Sequence, residues 1–134
     1  MTRRLLRSSY ADPSKVRAED VDQYYAPVAE PDFGRALRGV LREFRFDALA
    51  GHLASVEVPS LVLWGERDDW IPTSLGRALA SELPRVAYLS IPNAGHALAE
   101  EAPTEVNRLL IAFLKDGIPG PPPDLAFREE ASGN

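Results

Sequence analysis

The sequence predicts an α/β fold of about two parallel strands with flanking helices, and three observations carry that prediction. Ser60-Leu61-Val62-Leu63-Trp64 is an apolar run that does not alternate, as in a strand covered on both faces. Val86–Ile91 is a second short, largely apolar run. Between them Leu75, Leu79 and Leu83 recur at i, i+4 and i+8, a helical period. Strand, helix and strand in this order form a βαβ unit, which takes about 30 residues or more and crosses over with a right hand.

Residues 1–57 read as helical and rich in polar groups. Ala18-Glu19-Asp20 places acids in a first turn, and Val21, Tyr24, Tyr25 and Val28 leave one apolar stripe on a short helix. Pro27 and Pro31 break that pattern. Phe33, Leu37, Val40, Leu41 and Phe44 follow with amphipathic helical spacing, opposite a charged face of Arg35, Arg38, Arg42 and Glu43. A short helical segment over residues 47–56 leads to Pro59.

The first strand ends at Gly65. The helix over residues 73–83 has Thr73 or Ser74 as its expected cap and Pro84 as its stop. A last helix opens at Pro103 or Thr104, shows an apolar face of Val106, Leu109, Leu110, Phe113 and Leu114, and ends at Gly117. The remaining tail is rich in Pro and Gly without periodicity, and a flexible segment is expected over residues 117–134. No internal repeat is visible.

Composition narrows the function classes. With 134 residues, 45% of them hydrophobic, the chain suits one globular domain. A net charge of −5 supplies no basic face, so nucleic acid is set aside as a partner. Cysteine is absent, which excludes disulfides, thiolate catalysis and cysteine-held zinc. His52 and His96 are the only histidines, so no metal site and no cofactor is expected. No apolar run approaches the roughly 18 residues of a membrane span. The first ten residues hold three Arg, two Ser and no acid. They fit an amphipathic helix end, with an organelle transit peptide as the alternative and a cytoplasmic location as the expectation.

Two side chains carry chemistry. If the strands are neighbours, about 4.8 Å apart, the loops leaving their C-terminal ends are adjacent. Asp68 sits in the first loop and His96 in the second, at the edge of the sheet where α/β folds gather their active sites. A carboxylate there fixes the imidazole tautomer and stabilises the imidazolium formed during proton transfer. Each residue also has a plainer reading. An Asp after a strand is commonly a turn former, Asp69 competes for the same turn before Trp70-Ile71-Pro72, and a His after Gly is commonly a loop residue. His52, in a helical stretch, reads as a surface residue.

Gly65-Glu66-Arg67-Asp68-Asp69-Trp70-Ile71-Pro72 resembles the G-x-x-D-x-x-[VI]-P acid loop of the α/β-hydrolase superfamily. Asn93-Ala94-Gly95-His96, followed by Glu101-Ala102-Pro103, resembles its G-H-x-x-x-x-E-x-P histidine loop. The resemblance implies that Asp68 and His96 are the acid and histidine of a catalytic triad. It implies that residues 58–116 are the C-terminal part of the hydrolase core. Residues 1–57, with Tyr10-Ala11-Asp12-Pro13 and Asp22-Gln23-Tyr24-Tyr25, look like the end of the helical cap and its return to the sheet.

The family's nucleophile lies in a G-x-S-x-G elbow before the acid, with Asp in place of Ser in the dehalogenase-like and epoxide-hydrolase-like branches. Here Ser8, Ser9, Ser14, Ser55 and Ser60 lack the flanking glycines, and Gly34, Gly39 and Gly51 frame no nucleophile. The oxyanion-hole motif is absent as well. The expectation is therefore a fragment, inactive alone, of an ester-type hydrolase that acts on a small-molecule substrate. A fragmentary gene model, a late start codon or a split partner would each account for Met1. A two-stranded parallel sheet also leaves an apolar edge, so self-association or a complementing chain through that edge is the partner expectation. The alternatives are a non-catalytic interaction fragment and a small binding module built around Trp64 and Trp70.

Overall fold

Leu61 and Leu63 stand on one face of the first strand and Val62 and Trp64 on the other, and this alternation organises the molecule. The computed structural model describes residues 3–45, 49 and 51–118. Its elements are α1 (Arg3–Ser8), a 3₁₀ turn (Pro13–Lys15), α2 (Ala18–Val28) and α3 (Phe33–Glu43). A second 3₁₀ turn (Leu53–Ser55) leads to β1 (Ser60–Gly65), α4 (Thr73–Glu82), β2 (Val86–Ile91), α5 (Leu98–Glu101) and α6 (Pro103–Asp116).

The strands pair in parallel, from Ser60 opposite Val86 to Gly65 opposite Ile91. Leu61, Leu63, Leu89 and Ile91 share one face, where they pack with Ala94, Leu98, Val106 and Leu109 of the following loop, α5 and α6. On the other face Trp64 lies under α4 at Gly76, and the Arg77 guanidinium stands over the Tyr88 ring. The sheet is thus covered on both faces, as the unbroken apolar run implies. The strand interior Leu61–Trp64 is still only half-buried, because among the described residues β1 pairs on one side alone.

The N-terminal segment forms a second cluster of Leu6, Tyr10 and Val16, with Val21 and Ala97 against it. A backbone bond joins it to the loop after β2: Ala97 N–H donates to the Ser9 carbonyl at 2.8 Å.

Several elements differ from expectation or add to it. In α4 the buried residues are Gly76 and Ala80, whereas Leu75 is 57% exposed and Leu79 also faces outward. The helix approaches the Trp64 indole so closely that a Cβ on Gly76 would meet its ring at 2.4 Å. One residue is about 100° of helix rotation, so choosing the small face turns the leucines away. Pro72, not Thr73 or Ser74, occupies the position before α4, with no side-chain cap.

The helix α2 runs through Pro27 in its last turn, and none of its stripe is fully buried. The helix α3 forms over the expected residues, yet its apolar face is open, with Leu41 63% exposed. Of the helical segment expected over residues 47–56, the described part is the single 3₁₀ turn Leu53–Ser55, and residues 47, 48 and 50 lie outside the described residues. In α6, Val106 and Leu109 are buried while Leu110 and Leu114 are exposed. Gly117 closes that helix at φ 83°, a left-handed value that favours glycine. Of the tail, residues 119–134 lie outside the described residues.

Candidate active site

Gly65, the last residue of β1, lets the two loops touch. A Cβ there would stand 2.3 Å from the Gly95 carbonyl oxygen and 2.4 Å from that of Ala94. Glu66 N–H donates to the Ile91 carbonyl at 3.1 Å, and Arg67 N–H to that of Ala94 at 2.9 Å. The acid loop is therefore stitched to the histidine loop by its backbone. Asn93, at φ 57°, turns the chain after β2, a conformation Asn tolerates better than most residues.

Within this frame the Asp68 carboxylate serves two groups. Its Oδ1 accepts from the backbone N–H groups of Trp70 at 3.0 Å and Ile71 at 2.9 Å. Its Oδ2 lies 3.0 Å from His96 Nδ1. Asp68 thus bonds the turn with one oxygen and contacts the imidazole with the other, and Asp68 rather than Asp69 caps the turn. The Asp68 side chain is 6% exposed and that of His96 35%. The acid is sheltered, and the histidine is reachable.

The Trp70 ring stacks on the His96 ring, with centroids 4.9 Å apart and planes at 25°. An aromatic face of this kind attracts an imidazolium more than a neutral imidazole. Trp70 Nε1 donates to Ser8 Oγ at 3.3 Å, so the N-terminal helix reaches the site. Trp64 plays a different part: it packs under α4, and its Nε1 donates to the Ile71 carbonyl at 3.1 Å. The two tryptophans thus serve different neighbours.

His96 opens on a cavity of about 610 Å³, whose wall includes Leu63, Trp70, Leu98 and Val106 with Tyr24 and Glu100 at its polar end. The Glu100 carboxylate accepts from the phenols of Tyr10, at 2.6 Å, and Tyr24. Burial and then the bond to Glu100 push the Tyr10 phenol up from its ordinary value. For Tyr24 the bond to Glu100 is the larger cause of a shift in the same direction. Both phenols are held as protonated donors. Sequence reasoning did not find this cluster. Its partners lie 76 and 90 residues apart, and Tyr24 carried only an apolar-stripe signal and a place in the cap-like segment. His52 is exposed, as a surface residue. Among the described residues no group of three or more His, Asp or Glu is placed to hold a metal, and no helix is long and apolar enough to cross a membrane.

No family model matches the chain. It is similar to an uncharacterized hydrolase, YugF, of Bacillus subtilis, 28% identical over 104 residues that cover 78% of this chain and 38% of that protein. It is 31% identical over 106 residues to epoxide hydrolase 3 of Xenopus tropicalis, covering 76% of this chain and 28% of that one. Among solved structures, the meta-cleavage product hydrolase CumD of Pseudomonas fluorescens IP01 matches with a TM-score of 0.72 at 25% identity, over 84% of this chain and 43% of that one. The chain spans well under half the length of the curated relatives it matches.

Proposed function

We propose, for a chain that belongs to the α/β-hydrolase superfamily and carries part of its fold, that Asp68 and His96 are the acid and the general base of an ester-type hydrolase. The observation that supports this most is the 3.0 Å contact between Asp68 Oδ2 and His96 Nδ1, beside a cavity that His96 itself lines. With Nδ1 held by the carboxylate, Nε2 is the nitrogen left to move a proton. It takes the proton of a serine hydroxyl, or of a water when the nucleophile is an Asp, and returns it to the leaving group. The 134 residues contain no nucleophile elbow, so the nucleophile is assigned to residues outside them and the chain alone is read as inactive. An ester is the bond that a serine and this pair suffice to cleave. Epoxide, haloalkane and carbon–carbon hydrolysis use the same pair with a different nucleophile or pocket.

The test is release of p-nitrophenol from a short-chain p-nitrophenyl ester. The chain alone gives no release that depends on His96. Joined to a preceding segment that carries a G-x-S-x-G elbow, it gives release that His96→Ala abolishes and Asp68→Asn lowers by about 10⁴-fold, as in serine triads. Full activity of the joined protein with His96→Ala overturns the assignment.

The half-buried β1 supports a second reading, in which the chain acts without catalysis by pairing its open sheet edge with another polypeptide or a second copy. Light scattering during size exclusion separates the two. An oligomer supports edge pairing, and a monomer with cooperative unfolding counts against it.

A further inference from the structure

The Glu101 side chain is 0% exposed, yet it belongs neither to the Asp68–His96 pair nor to the cavity wall. Its oxygens take three backbone N–H groups from two distant parts of the chain. Oε2 accepts from Gly95 at 2.7 Å and from Ala11 at 2.9 Å, and Oε1 accepts from Asp12 at 2.7 Å. The Lys15 ammonium stands 4.0 Å from Oε1 and donates to the Glu101 carbonyl at 3.0 Å. A carboxylate taken out of water is costly unless hydrogen bonds replace the water it loses, and bonds to an ionised acceptor are the strong ones. Here backbone amides replace that water.

The backbone is held on both sides of His96. Gly95, on one side of it, is held by Glu101, and Ala97, on the other, donates to the Ser9 carbonyl at 2.8 Å. The fit leaves no slack, since a Cβ on Gly95 would meet Ala11 N at 2.6 Å and the Ser9 carbonyl oxygen at 2.9 Å. The carbonyl of Ala94 is already committed to Arg67 of the acid loop. The backbone around His96 is thus gripped by the acid loop on one side and by residues 9–12 on the other, with Glu101 as the shared fastening.

We propose that Glu101 is a positioning residue, whose carboxylate draws the amides of Gly95, Ala11 and Asp12 to one point and so sets the loop height at which His96 meets Asp68. The proposal rests on the reading of those two as a relay. It makes residues 9–12 part of the active-site framework, although they contribute no reacting group. A Gln at this position keeps the size and loses one acceptor oxygen. Its NH₂ then faces either Asp12 N–H or the Gly95 and Ala11 N–H pair, and the loop has to shift.

The test reads the His96 imidazole directly in the 134-residue chain. A ring N–H bonded to a carboxylate gives a downfield proton resonance, and Asp68→Asn identifies it by removing it. Glu101→Gln is expected to remove or broaden that resonance while the circular dichroism and the protected amides of β2 remain. Retention of the resonance in folded Glu101→Gln overturns the proposal. If that variant does not fold, Glu101→Asp, which keeps the charge and shortens the reach, is read the same way. Failure of both to fold assigns the carboxylate to folding alone and overturns the positioning role. Absence of any Asp68-dependent resonance in the unsubstituted chain overturns the relay reading itself, so the two failures are distinct.

Discussion

The Trp70 indole lies on the His96 imidazole at a centroid distance of 4.9 Å, and the same His96 ring is held at its edge by Asp68. The ring is therefore fixed by one face and one nitrogen. Replacing His96 uncovers that indole face, so tryptophan emission at one fixed pH is expected to change in His96→Ala. In a Trp70→Phe background, where Trp64 is the one indole, the same substitution is expected to leave the emission unchanged.

Asp68 divides its oxygens between a turn and a histidine, and two substitutions separate those parts. Asp68→Asn keeps an acceptor for the Trp70 and Ile71 amides and is expected to hold the denaturation midpoint close to that of the parent. Asp68→Ala strips the turn of its acceptor and costs about 0.5–2 kcal/mol, the range for a lost cap. Urea unfolding followed by circular dichroism measures both, and equal losses in the two variants contradict the shared role.

Gly76 sets how closely α4 approaches the sheet. With Trp64 only 2.4 Å from a Cβ at that position, Gly76→Ala forces the helix or the indole to move. It should destabilise the fold by about 1–3 kcal/mol, as overpacked cores do. Gly39 in α3 meets nothing within 4 Å, so Gly39→Ala is expected to stabilise its helix by about 0.5–1 kcal/mol. Opposite signs in the two denaturation curves support the packing account.

The Tyr10 phenol binds its proton more tightly in the folded chain than in the unfolded one, because of burial and then the Glu100 carboxylate. For an acid raised in this way, the stabilisation is complete below the unfolded phenol value of about 10 and is lost as pH rises above it. Thermal midpoints measured from about pH 9 upward should therefore fall with pH. Tyr10→Phe is expected to lower the midpoint at neutral pH and to reduce that fall, since it removes the titrating group.

The strands and the loops that hold Asp68 and His96 were legible because their signals are local: an unbroken apolar run, a helical period and a Gly at the loop. The parallel pairing then brought the two side chains together, whereas their roles stay with the proposal above. The leucine period announced α4 as a helix but did not say which face it buries, since contact of Gly76 with Trp64 depends on shape. The open stripe of α3 shows the limit from the other side: periodicity reports which residues share a face and says nothing of what covers it. The bonds of Glu101 to Ala11 and Asp12 and of Glu100 to Tyr10 and Tyr24 join residues 76 to 90 positions apart. No window along the chain contains both ends.

Gly65 stands opposite Ile91, so β1 and β2 finish level. The gap between the acid and the histidine is then governed by the spacing of two neighbouring strands and by the short loops that leave them, and residues 73–85, α4 included, do not enter it. Length changes in the α4 connection are expected to be absorbed there, whereas one residue inserted inside β1 or β2 displaces a loop along its strand and reverses which side chains face the core. Apart from the Gly76 contact with Trp64, the connecting helix is free to drift in sequence and length while the paired strand ends keep the chemistry in step.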